Sequence, residues 1–152
     1  MFCGSAAGRA SARQGAYYAG PGNLFWPSLA KVGLTPRRLA PAEFRRLPDF
    51  GLGLTDLCKS ASGGDAELPP GADDPAALRH KILEFQPNIL AFVGKRPAKV
   101  VLERTPGYGP QPERLDATRL FVLPSPSGAA RRYWDERWWW ELARAADRAG
   151  DA

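Results

Sequence analysis

Four short apolar runs, residues 1–4, 51–57, 89–94 and 120–123, alternate with longer stretches of helical periodicity. Runs of this length suit strands buried on both faces rather than helices. Strands that alternate with helices join in parallel through crossovers, so the pattern predicts an α/β fold. The expected architecture is a three-layer α/β/α sandwich around a central four-stranded, mostly parallel sheet. At 152 residues the chain suits one domain, residues 1–152, with one sizeable core.

The helices have their own signals. Asn23 is placed to cap a helix carrying Phe25, Leu29 and Val32 and ending near Gly33. Pro41 opens a short helix through Phe44 and Leu47. Asp74-Pro75 pairs a capping residue with proline at the first helical position, and Leu78, Ile82 and Phe85 follow before Pro87 ends the helix. A fourth helix is expected over residues 97–104 and a last one over about 134–149. In that last helix Trp134, Trp138, Leu142 and Ala145 form the inward stripe and Trp140 faces outward. Residues 61–74 and 107–116 read as surface loops.

Composition removes several function classes. No apolar run approaches the roughly 20 residues that span a bilayer. Met1-Phe2-Cys3-Gly4 leads at once into small and basic residues, which reads as no signal peptide and points to a reducing cytoplasm. The first strand begins at Met1 itself, so either the chain starts inside it or residues upstream are missing. Cys3 and Cys58 each adjoin an apolar run and read as buried reduced thiols rather than a disulfide. His80 is the sole histidine and no spacing resembles a zinc site, so neither metal nor cofactor is expected.

The formal charge is +5 and uneven. Residues 1–60 carry eight basic against three acidic side chains, and residues 91–152 eleven against eight. Residues 61–90 are acidic. Arginines outnumber lysines 16 to 5, and the planar guanidinium donates two hydrogen bonds at once to a phosphate. A polyanionic partner fits, as does a merely solvated basic surface.

Ligands of parallel sheets bind in the loops at the carboxyl ends of strands. Two loops rich in small residues fall there. Tyr17-Tyr18-Ala19-Gly20-Pro21-Gly22-Asn23-Leu24-Phe25-Trp26 sets two aromatic rings beside turn residues just before a helix. Leu123-Pro124-Ser125-Pro126-Ser127-Gly128-Ala129-Ala130-Arg131 follows the last apolar run.

In that order the segments resemble the mismatch-specific uracil/thymine DNA glycosylases of the uracil-DNA glycosylase superfamily. Phe2-Cys3-Gly4-Ser5-Ala6-Ala7-Gly8 stands at the family's first motif, a strand ending in Gly-Ile-Asn-Pro-Gly. Tyr18 to Trp26 looks like its stacking segment. Gly51-Leu52-Gly53-Leu54-Thr55-Asp56-Leu57 and Phe92-Val93-Gly94-Lys95 match the second and third strands, and Phe121 to Gly128 the loop that enters the minor groove. The family's water-holding asparagine falls at Ala6, whose methyl cannot polarise water. The second motif's polar residue falls at Ser125.

The resemblance implies an enzyme that flips uracil out of DNA and hydrolyses its glycosidic bond, leaving an abasic site. Tyr18 is expected to stack on the flipped base, with a core role as the alternative for it and still more for Tyr17. Gly4, Ser5, Ala6 and Gly8 are expected to line the base, their N–H groups stabilising the charge that develops on it. Asp56, Asn23 and Ser5 are the catalytic candidates. Asn23 has helix capping as its plainer role, and Asp56 a salt bridge or loop cap. Ser125 is expected at the abasic sugar or a phosphate. Ser11, Arg13, Ser127, Gly128, Ala129, Arg131 and Arg132 are expected on DNA, with Arg131 entering the stack and Arg132 on phosphate. Lys95 reads as a phosphate or acid partner rather than a Schiff-base lysine. The tryptophan cluster reads as core rather than a base-stacking platform. A monomer bound to the nucleoid is expected, and Ala6 keeps open a second reading, a non-catalytic module that binds uracil-containing or abasic DNA.

Overall fold

A computed structural model describes residues 1–58, 62–63 and 68–150. The helix signals place elements close to expectation. In chain order they are β1 (Phe2–Gly4), α1 (Arg9–Gln14), α2 (Phe25–Lys31), a 3-10 segment (Pro41–Phe50), β2 (Leu54–Asp56) and α3 (Pro75–Phe85). After these come β3 (Ile89–Val93), α4 (Lys95–Leu102), β4 (Gly109–Leu115), β5 (Thr118–Leu123), a second 3-10 segment (Gly128–Tyr133) and α5 (Arg137–Gly150). The cap at α3 is as the sequence implies, the Asp74 carboxylate accepting from the Ala77 N–H at 3.0 Å.

The sheet runs β2-β1-β3-β5-β4. The first four strands are parallel, with Gly4 of β1 beside Asp56 of β2. The count of four strands is corrected to five. Residues 107–116, expected as a loop, contain β4, which pairs antiparallel with β5. Pro110 and Pro112 hid it. Proline cannot donate to a ladder, but an edge strand leaves that side unpaired. The loop expected over residues 61–74 lies partly outside the described residues.

Side-chain alternation along the strands makes two cores. Phe2, Ala91, Val93, Phe121 and Leu123 pack under α2, the first 3-10 segment and α5. Cys3, Leu90, Phe92, Leu120 and Val122 pack under α3 and α4. The result is the expected α/β/α layering. Cys3 and Cys58 are buried thiols outside any disulfide.

Helix α5 starts at Arg137, which shifts its phase from the expected one. Trp134 precedes the helix, and Trp139, Leu142, Ala143 and Ala145 are the buried residues rather than a stripe through Trp138. Trp138 lies half-buried against Tyr108, and Trp140 is exposed as expected. Trp139 is fully buried and meets Phe2, Phe25 and Trp134 with ring centroids 6.1, 5.9 and 5.7 Å away. Trp139→Ala is expected to cost about 3–5 kcal/mol in urea unfolding, the usual penalty for emptying a large aromatic site. A loss under about 1 kcal/mol would mean that α5 is not held through this ring.

Candidate active site

The carboxyl ends of β1, β2, β3 and β5 open into a cleft of about 990 Å³. Gly4, Ser5, Ala6, Ala7 and Gly8 line one side of it; Ser125, Pro126 and Ser127 lie on another, with Tyr18 and Asp56 between. The sequence-predicted loops thus converge where parallel sheets take ligands.

The loop after β1 is fixed through its carbonyls. Gly4, Ser5 and Ala7 accept from the N–H groups of Leu57, Cys58 and Gly63 at 2.8, 2.7 and 2.9 Å. Gly4 must be glycine for a steric reason. A Cβ there would sit 2.9 Å from Asp56 Oδ1 and 3.0 Å from the Tyr18 hydroxyl, closer than side chains tolerate. Asp56, which ends β2, is buried, being 9% exposed.

Tyr18 adopts φ 51, a left-handed conformation that costs a tyrosine and persists only where the surroundings impose it. Its ring stacks on Phe25 at 4.0 Å with a 23° interplanar angle, so one face is covered, and the residue lines the cleft. Burial first, and then the Asp56 charge, push the phenol pKa well above its ordinary 10, which keeps the hydroxyl protonated. Tyr17 packs edge-on against Phe44 at 5.2 Å, the core role left open for it, and its carbonyl accepts from the Trp26 indole.

Other predicted residues have visible local work. Asn23 Oδ1 accepts from the Phe25 N–H at 3.0 Å, a local turn bond just ahead of α2, whose N-cap is Leu24 rather than the expected Asn23; Asn23 also lines the cleft. Ser11 is buried and accepts from the Ala19 N–H at 2.9 Å, which anchors the chain just after Tyr18. Ser125 accepts from Ser127 N–H, and Ser127 from Ala129 N–H. Ala6 lines the cleft with no polar side chain.

Several exposed basic side chains also have contacts within the chain. Arg131 donates to the Gly22 carbonyl, tying the second loop to the first. The Leu24 N–H donates to the Pro126 carbonyl at 2.9 Å and does the same. Arg132 lies over the Tyr133 ring at 4.7 Å, and Arg13 is exposed at the end of α1. Gly128 and Ala129 are exposed at the rim. Lys95 sits over the Tyr108 ring at 4.5 Å, and Arg96 makes a two-pronged pair with Asp73 at 3.1 and 2.9 Å.

Sequence reasoning missed Tyr108 and Tyr133, which line the same cleft, Tyr133 being 54% exposed. For Tyr133 the adjacent Arg131-Arg132 was the available signal; Tyr108, between Gly107 and Gly109, carried none. Among the described residues no group of three His, Cys, Asp or Glu side chains could hold a metal ion, and no helix is long and apolar enough to cross a membrane.

A family model described as the uracil DNA glycosylase superfamily matches residues 1–146. The strand-end cleft, its glycine-rich first loop and the second loop facing it all fall inside that match, so the chain belongs to the uracil-DNA glycosylase superfamily and carries a DNA glycosylase-type domain.

Proposed function

We propose that this protein removes uracil from DNA by hydrolysing its glycosidic bond, without a lyase step, and that Asp56 is the catalytic carboxylate. The observation that carries the reading is the buried Asp56 carboxylate in the cleft, 2.9 Å from the side-chain position that Gly4 leaves open. A carboxylate there suits both halves of the chemistry. It stabilises the oxocarbenium-like sugar as the bond breaks, and it accepts a proton from the attacking water.

The remaining residues have matching tasks. A flipped pyrimidine stacks on Tyr18, whose ring Phe25 backs from behind. Backbone N–H groups of residues 4–8 stabilise charge on the departing base. Uracil leaves readily once its oxygens are hydrogen-bonded, so the reaction tolerates alanine at position 6. Tyr133 and the 127–132 segment meet the DNA around the vacated stack.

Ala6 favours a second reading, a module that holds uracil-containing or abasic DNA without cutting it. Incubation with a labelled uracil duplex followed by alkali separates the two. Strand cleavage supports excision; a stable shifted complex without cleavage supports the binding module.

Binding is expected to fall steeply with salt, because arginine–phosphate contacts release counterions. The predicted slope of log affinity against log salt is at least about −3, corresponding to several phosphates. A near-flat dependence, measured by fluorescence anisotropy, would remove phosphate contacts from the proposal.

A further inference from the structure

Four of the eight basic residues in the first sixty positions stand close together as two adjacent pairs, Arg37-Arg38 and Arg45-Arg46. All four are exposed, yet the backbone beneath them is anchored, because Leu39 and Leu47 beside the pairs are each 1% exposed. Glu43 lies between the pairs. It accepts from both prongs of Arg37 at 3.1 and 2.6 Å and from Arg46 at 3.4 Å. The Arg37 bonds, joined by the Ala40 N–H, hold its carboxyl down at about 2, so it stays ionised and keeps Arg37 and Arg46 in place. Arg38 and Arg45 have no acidic partner among the described residues. Even with Glu43 and Asp49 counted, residues 37–49 carry a net charge of +2.

This basic ledge is continuous with the cleft. The Arg45 guanidinium lies over the Phe44 ring at 4.8 Å, Phe44 packs edge-on against Tyr17 at 5.2 Å, and Tyr17 lines the cleft. The Arg45 charge therefore stands within about 10 Å of the Tyr17 ring, close to the rise of about three base pairs. A duplex that delivers a nucleotide into the cleft lays its flanking backbone over the surface beside it, and unpaired guanidiniums match phosphates there. We propose that Arg38 and Arg45 form a second contact with DNA outside the cleft, gripping the phosphates of the duplex on one side of the flipped nucleotide. The proposal rests on DNA as the partner, not on uracil as the base removed. Phosphates carry no sequence information, so the ledge adds affinity and register rather than base preference.

The test is fluorescence anisotropy with an abasic duplex over a salt series, comparing the wild type with Arg38→Gln/Arg45→Gln. The variant is expected to bind about tenfold more weakly at low salt, with a slope of log affinity against log salt shallower by about 2, one phosphate for each arginine. The wild-type advantage vanishes when the duplex is trimmed to about two pairs on one side of the abasic site, and survives trimming on the other. Arg38→Lys/Arg45→Lys stays within about threefold of the wild type, because an ammonium also neutralises a phosphate. Arg79→Gln/Lys99→Gln removes the same charge from exposed positions of α3 and α4, in the opposite layer of the sandwich, and costs less than about threefold. An unchanged slope in the glutamine variant, an equal loss in the α3/α4 control, or a lysine variant as weak as the glutamine one would overturn the ledge. So would an advantage that trimming on neither side removes. A wild type that shows these binding results yet releases no uracil supports the ledge and overturns excision instead. A wild type that binds no duplex overturns both.

Discussion

Asp56→Ala lowers single-turnover cleavage of a uracil duplex by about 10²-fold or more, the usual loss when a general base is removed. Asp56→Asn falls nearly as far, since the amide keeps the shape of the carboxylate but neither takes a proton nor balances a cationic sugar. Both variants bind abasic DNA close to wild-type strength, because the Tyr18 wall and the rim arginines are untouched. Quenched-flow rates check this. Full activity in Asp56→Asn would remove the carboxylate from the chemistry and leave the backbone N–H groups to stabilise the leaving base alone.

Gly4→Ala is expected to be as damaging through one methyl group. The Gly4 backbone lies outside the left-handed region, so alanine is conformationally acceptable there. The methyl, however, would stand 2.9 Å from Asp56 Oδ1 and 3.0 Å from the Tyr18 hydroxyl. The carboxylate or the ring must move, and small displacements of reacting groups cost about 10²-fold in rate. Circular dichroism and urea unfolding should show a folded protein, while uracil cleavage falls by that order. A folded Gly4→Ala protein with wild-type rates would mean that Asp56 and Tyr18 do not meet at the reacting centre.

How far the sequence exposes this arrangement depends on the distance over which each feature is encoded. The parallel strands are local apolar runs, and the α3 cap at Asp74 is a local signal, so both are legible. Strand β4 is not, because Pro110 and Pro112 look like loop punctuation until the strand is known to lie at the sheet edge. Trp139 takes the buried place assigned to Trp138 because the phase of α5 follows from its start at Arg137, which the tryptophan run does not mark.

The site divides the same way. Glycine-rich and aromatic loops after strands can be read locally, and Asp56 stands out as an acid at a strand end. The tie from Arg131 to Gly22 joins residues 109 positions apart and has no local signature. Nor has the convergence of the Tyr18 hydroxyl with Asp56. It depends on the Gly4–Asp56 register of β1 and β2 and on a left-handed tyrosine. Tyr108 and Tyr133 reach the cleft from a segment before β4 and from a 3-10 turn, two places with no shared sequence pattern.

Counting the released base tests the central claim most directly. With protein in excess over a uracil·guanine duplex, free uracil is measured by mass spectrometry alongside the intact mass of the DNA strand. The predicted result is one uracil per duplex, matched by one abasic strand that breaks only after alkali. An unchanged strand with no uracil released, under conditions where the protein still retains abasic DNA, would contradict excision and leave a DNA-binding module.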